Sequence, residues 1–214
     1  MEYAVIDLVS RDLCIHSIFQ NIEYRAVELR PQDVVVALKL LADSPRVWTY
    51  ASLAEDLAMS ASQVFRSVAR AEGARLLGSP VSSPFVRAPS ATNRQYALPF
   101  LPSRVNLKEF LIHGVKYAFP AERGAMVRGI PTAHAAPPLN RHFAESGDPP
   151  PVWPDPQGTV RGTEFSPLYK NVPAAARKDE KLYELLALVD AIRDGRARER
   201  EVAVRELSSR IDAL

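Results

Sequence analysis

The stretch Trp48-Thr-Tyr-Ala-Ser-Leu-Ala-Glu-Asp-Leu-Ala-Met-Ser-Ala-Ser-Gln-Val-Phe-Arg-Ser-Val-Ala-Arg-Ala71 decides how the chain is read. Leu53, Ala54 and Leu57 fall on one helical face, and Val64 and Val68, four residues apart, fall on a second, so the spacing predicts two short helices crossing at a tight turn. Ser60 stands between them, where its hydroxyl can accept a hydrogen bond from the free N–H groups that open the second helix. Ser62, Gln63, Arg66 and Arg70 are left outside the packed faces. Such side chains can meet base edges and phosphates when a helix of this kind lies in a major groove.

Residues on either side extend this unit. Upstream, Pro31 suits a first helical turn, Asp33 favours the positive end of the helix dipole, and Val34, Val35, Leu38 and Leu41 form an apolar stripe ending near Ala42. Asp43-Ser-Pro-Arg breaks that helix, and Trp48 and Tyr50 are expected to seat the helix pair on it. Downstream, Leu76-Leu77 reads as a strand with Gln95-Tyr-Ala-Leu98 as its returning partner. The loop between them, residues 78–93, is rich in serine and proline and longer than an ordinary hairpin connection. Its Arg87, together with Arg94, can hold phosphates or enter a minor groove, or the loop can cover the domain's flank.

Leu53-Ala54, Leu57, Ser60, Val64, Arg66 and Val68 resemble the helix-turn-helix core of winged-helix bacterial transcription regulators, MarR-like in the broad sense. Met59 stands in the turn where many such units carry glycine. The resemblance covers residues 29–101 and implies a winged helix-turn-helix domain binding double-stranded DNA. On this reading Ser62, Gln63 and Arg66 lie nearest the bases, with Ser60, Arg70, Arg87 and Arg94 on phosphates. It also implies a homodimer whose two reading helices stand about one duplex turn, ~34 Å, apart.

Composition sets the outer limits. The chain of 214 residues has room for one large or two small cores, and its net charge of +2 is weak for a nucleic-acid binder. Distribution matters more: residues 78–104 carry Arg87, Arg94 and Arg104 with no acidic residue, beside Arg66, Arg70 and Arg75. No run approaches the ~20 apolar residues of a membrane span. The N-terminus lacks the pattern of a secretory signal, so a cytoplasmic protein with no membrane partner is expected. Cys14 is the single cysteine and the four histidines are scattered, so no metal is expected.

Three domain-level segments follow. Residues 1–28 form an arm, either helical or a short strand pair, of no assigned role. Residues 29–101 form the winged unit. Residues 102–214 begin after the linker signal Pro99-Phe-Leu-Pro-Ser with a helix from Val105 to about Ala118 that Ser103 can cap. They continue through a proline- and glycine-rich stretch over 120–172, with short extended pieces at 125–127 and 159–165 and a loop over 141–151. They end in two helices, one from Asp179 to about Arg193 stopped by Gly195 and one from Arg196. The fold class expected is α+β, mainly α.

No nucleotide cradle, nucleophile elbow or set of metal ligands stands in the required context, so neither an enzyme nor a cofactor is expected. Gly124-Ala-Met-Val-Arg-Gly129 lacks the lysine and hydroxyl of a phosphate loop, and Trp153, Asp155, Arg161 and Glu164 have the residue types of an acid/base site without its spacing. The C-terminal region is therefore expected to bind a small effector coupled to the DNA-binding state, or a protein partner, with Trp153, Asp155 and Arg161 as the candidate contacts. The second possibility is an antitoxin-like or other protein-interaction module, since residues 185–200 resemble the ending of proteins encoded beside nucleotidyltransferase-like toxins. The helical ending suits a dimerisation surface, or a pair folded back on its own domain, equally well.

Overall fold

The computed structural model describes residues 28–44, 46–78, 98, 100–143 and 148–213. The arm, except Glu28, lies outside them, as do Arg87 and Arg94. The fold is α+β and mainly helical.

Helix α1 (Pro31–Ala42) starts where Pro31 presets the backbone and where the Asp33 carboxylate accepts the Arg30 N–H at 2.8 Å. The stripe read from the sequence broadens into a cylinder that is buried from Asp33 to Ala42, as befits a helix enclosed on all sides. Helix α2 (Tyr50–Asp56) packs on α3 (Ala61–Gly73), and α3 packs on α1. Trp48 and Tyr50 are buried at that junction, 2% and 6% exposed, in the seating role expected of them.

After α3 the chain forms β1 (Leu77–Gly78), which pairs antiparallel with β2 (Leu101–Pro102), in the register Leu77↔Pro102 and Gly78↔Leu101. A strand partner thus lies in the segment read as linker, while residues 95–97 of the expected returning strand lie outside the described residues. Leu98 donates its N–H to the Trp48 carbonyl at 2.7 Å, and the Ser103 N–H continues the β1 side of the ladder to the Leu76 carbonyl at 2.9 Å. Helix α4 (residues 104–118) then runs as Arg104–Glu109, a π turn at Phe110–Gly114, and Val115–Ala118. Ser103 precedes it without making a side-chain cap.

The proline-rich stretch is more regular than its composition suggests. Strands β3 (Arg123–Pro131), β4 (Pro151–Pro154) and β5 (Val160–Phe165) close on one another: β3 pairs antiparallel with both others, and β4 pairs parallel with β5. Glycine makes this closure possible. A Cβ at Gly129 would run into the Trp153 carbonyl, and one at Gly162 into the Pro150 carbonyl. Helix α5 (Val172–Ala176) leads to α6 (Glu180–Asp194), capped by Asp179, whose carboxylate accepts the Leu182 N–H at 3.1 Å. Helix α7 (Ala197–Ala213) folds back along α6.

One continuous core runs from Val34 to Ile211, crossing the expected boundary at residues 101 and 102, because α6 packs directly against α1. Its polar hub is Asp190. The fully buried carboxylate accepts hydrogen bonds from Thr132 Oγ1 at 2.8 Å, Trp153 Nε1 at 2.6 Å and Arg193 Nη1 at 2.7 Å. Burial pushes the Asp190 carboxyl up, while Arg193 and the two neutral donors pull it back. Trp153 and Arg193 can only donate, so each depends on an Asp190 oxygen to accept. Arg193 gives three of its four other N–H groups to the carbonyls of Phe119, Pro120 and Ser166. The pair therefore fastens α6 to Trp153 of β4 and to the residues that directly follow α4, β3 and β5. Beside it, Tyr183 donates to the Pro131 carbonyl at 2.7 Å, and burial pushes its phenol up to about 12.

Replacing Asp190 by alanine strands a buried guanidinium and should cost about 3–5 kcal/mol of unfolding free energy in urea. A loss below about 1 kcal/mol would show that the hub does not hold the C-terminal region together.

Candidate nucleic-acid interface

The α2–turn–α3 unit is built by two reciprocal caps. At α2, Thr49 Oγ1 accepts the Ser52 N–H at 3.1 Å while Ser52 Oγ accepts the Thr49 N–H at 3.1 Å. At α3, Ser60 Oγ accepts the Gln63 N–H at 3.2 Å and Gln63 Oε1 accepts the Ser60 N–H at 2.9 Å. The left-handed residue of the turn is Ala58, with φ 51°, not Met59. Met59 instead plugs the turn from inside, 9% exposed, and donates its N–H to the Ala54 carbonyl at 2.8 Å.

Helix α3 buries Val64, Ser67, Val68 and Ala71 and leaves Ser62 and Arg66 exposed. Ser60 is exposed as the cap. Arg66 makes no ion pair among the described residues. Gln63 has a different fate from the one expected: both ends of its amide are engaged, Oε1 in the cap and Nε2 donating to Tyr169 Oη at 3.2 Å.

Arg70 is a correction. Instead of facing phosphate, its guanidinium grips the fully buried Asp33 carboxylate in a two-point pair, at 2.8 and 2.7 Å, and reaches Ser67 Oγ at 3.3 Å. The hydrogen bonds to Asp33 hold its pKa above the ordinary value. An isolated buried carboxylate costs several kcal/mol, so Asp33 claims the nearest guanidinium, and Arg70 becomes the bolt between α3 and the start of α1.

Trp153 is the second correction. Its indole is fully buried, edge-on to Tyr183 with ring centroids 5.7 Å apart and bonded to Asp190, so it cannot anchor an outside partner. Asp155, 5% exposed, pairs with Arg177. Of that trio Arg161 alone is exposed, on β5. Within the four-residue cluster that included Glu164, Trp153 and Asp155 are turned to different partners, Asp190 and Arg177.

The sequence reading missed the segment that flanks the turn. Besides the Tyr169 contact, Asn171 Nδ2 donates to the Ala58 carbonyl and Lys178 Nζ to the Glu55 carbonyl at 2.9 Å. Underneath, Lys39 Nζ, on a side chain 5% exposed, binds Asp179 at 2.7 Å, Asp43 at 2.9 Å and Asp56 at 3.2 Å. Burial alone would lower the Lys39 pKa, but the hydrogen bonds to Asp179 and Asp43 leave it above its ordinary value. Burial would likewise raise Asp179, yet the Lys39 ammonium and the Leu182 N–H hold it below the usual carboxylate range. The signal was present, since Lys39 is a lone cation inside Val34-Val-Val-Ala-Leu-Lys-Leu-Leu-Ala42.

The described residues include no group of acidic, histidine or cysteine side chains placed to hold a metal, and no described helix is long and apolar enough to cross a membrane. Compared with known proteins, the chain matches no protein-family model, no curated protein and no solved structure.

A carboxyl with a depressed pKa contributes stability above its unfolded value that is lost as pH falls through the folded one. The Asp179 contribution is therefore present at neutral pH and disappears in acid. Lys39→Met should lower the unfolding free energy at pH 7 by about 3–5 kcal/mol and flatten its fall below about pH 4, read from urea curves across that range. Ala58→Gly should add about 0.5–1 kcal/mol, because glycine adopts the left-handed conformation without penalty.

Proposed function

We propose that the protein is a sequence-specific binder of double-stranded DNA that acts as a transcription regulator, with α3 as its reading helix. The observation that carries this reading is the capped start of α3. The Ser60–Gln63 box fixes the first turn, Val64, Val68 and Ala71 fix the rotation, and Ser62 and Arg66 are thereby left exposed on a rigid element. A helix with an exposed polar N-terminal turn and an exposed cation one turn on is suited to entering a major groove, where arginine can take a guanine O6/N7 edge at two points. The short antiparallel β1–β2 pair that follows α3 supports the reading of a wing after the helix pair.

In this proposal the protein acts in the cytoplasm, as a homodimer on a palindromic operator. The C-terminal region supports an effector role through a cavity of about 350 Å³ lined by Arg123, His134, Asp148, Thr163, Arg196 and Glu199, large enough for a small polar molecule. A second reading, a protein-interaction module, draws on Val105 and Tyr117, apolar residues of α4 that are 71% and 78% exposed.

Titration of the purified protein against duplex from its own upstream region and against unrelated duplex, at two salt concentrations, tests the proposal. Tight binding to its own DNA that weakens as salt rises is expected. Arg66→Ala should cost about 1–3 kcal/mol and relax discrimination at one base position. No binding at low salt would overturn the DNA reading and direct attention to a protein partner.

A further inference from the structure

Of the phosphate contacts expected on α3, the cationic one, Arg70, is consumed by Asp33, which leaves the Ser60 cap on the described part of the chain. The segment that adjoins the other end of the helix carries cations of its own. Tyr169 touches Gln63 in the first turn of α3, and Lys170, the next residue, is exposed. Lys178 is exposed as well, and its ammonium donates to the Glu55 carbonyl, a neutral acceptor that leaves its charge intact. Neither lysine makes an ion pair among the described residues, whereas Arg177 between them is neutralised by Asp155.

We infer that the DNA-binding surface is composite: Lys170 and Lys178 of the C-terminal region contact backbone phosphates of the duplex whose major groove α3 enters. This rests on the proposed role of α3. A major groove is about 12 Å wide, so a helix that fills it brings whatever flanks its first turn over the groove's phosphate walls. Tyr169 adjoins that turn at Gln63, Asn171 adjoins the preceding turn at Ala58, Lys178 adjoins the end of α2 at Glu55, and both lysines are exposed. The segment is not a loose cover waiting to be displaced. Asp179, adjacent to Lys178, is tied to the buried Lys39, and α6 behind it packs against α1 in the common core. Opening it would take from the buried Lys39 ammonium the shortest of its three carboxylate contacts and strip Asp179 of its partner, so the lysines stay beside the helix when DNA arrives. Such contacts fix position and supply affinity without reading sequence.

The test compares the wild-type chain, Lys170→Ala/Lys178→Ala and Lys170→Arg/Lys178→Arg on the protein's own upstream duplex and on unrelated duplex over a range of salt. Removing one lysine–phosphate pair should make the slope of log affinity against log salt shallower by about 0.9. The alanine pair is therefore expected to weaken both duplexes by the same factor and to lower the slope by about 2, while the arginine pair keeps the wild-type slope. Circular dichroism and urea curves confirm that each variant is folded. A wild-type slope in the folded alanine pair would overturn the composite surface while leaving α3 as the reader, and tighter binding by the alanine pair would overturn it in favour of an obstructing segment. Failure of the wild-type chain to bind either duplex at low salt would remove the reading of α3 itself.

Discussion

The ammonium of Lys39 draws three carboxylates to itself inside the protein: Asp43 at the end of its own helix, Asp56 at the end of α2, and Asp179 at the cap of α6. Lys39 and Asp179 are almost out of water and neither can be left alone without a cost of several kcal/mol, while Asp43 and Asp56 are partly exposed, so the ammonium sets the positions of three segments relative to one another. Placement of the turn between α2 and α3 depends on this joint, and so does the neighbourhood of α3. The core supplies the adhesion, since α1 and α6 are apolar where they meet, but apolar contact tolerates sliding. Directed ionic hydrogen bonds do not.

Two further buried pairs work in the same way. Asp33 and Arg70 join the first helix to the far end of the third, and Asp190 and Arg193 join α6 to the small closed sheet. Together the three joints divide the chain's charges into those that hold the structure and those left on its surface. Arg66, Lys170 and Lys178 belong to the second group: Arg66 stands on α3, Lys170 follows the tyrosine that meets Gln63, and Lys178 lies against the end of α2. A net charge of +2 says little about such a surface, because many of the acidic groups are spent inside or in pairs.

Local patterns made much of the fold legible. The apolar spacing of residues 53–57 and 64–68, the Ser60 cap, Pro31 at a helix start, and Asp179 and Gly195 around α6 rest on contacts within a few residues, and the elements stand where those signals put them. Long-range choices were not legible. Sequence gives no way to see that Arg70 meets Asp33 across 37 positions, or that Lys178 reaches the turn across 123. The proline-rich segment misled for another reason: β4 is bounded by prolines and short, and its pairing depends on Gly129 and Gly162 admitting neighbouring carbonyls, a property of three strands together. Trp153 carried the composition of an interface anchor, yet the nearby carboxylate of Asp190 decided its burial.

Amide chemical shifts of ¹⁵N-labelled protein, followed as duplex DNA from its own upstream region is added, test most directly whether the start of α3 is the contact surface. Saturable changes centred on Ser62, Arg66, Lys170 and Lys178, with Asp33, Arg70 and Asp190 little affected, are the expected result. Changes confined to the far side of the molecule, or none at concentrations where unrelated DNA is also silent, would contradict it.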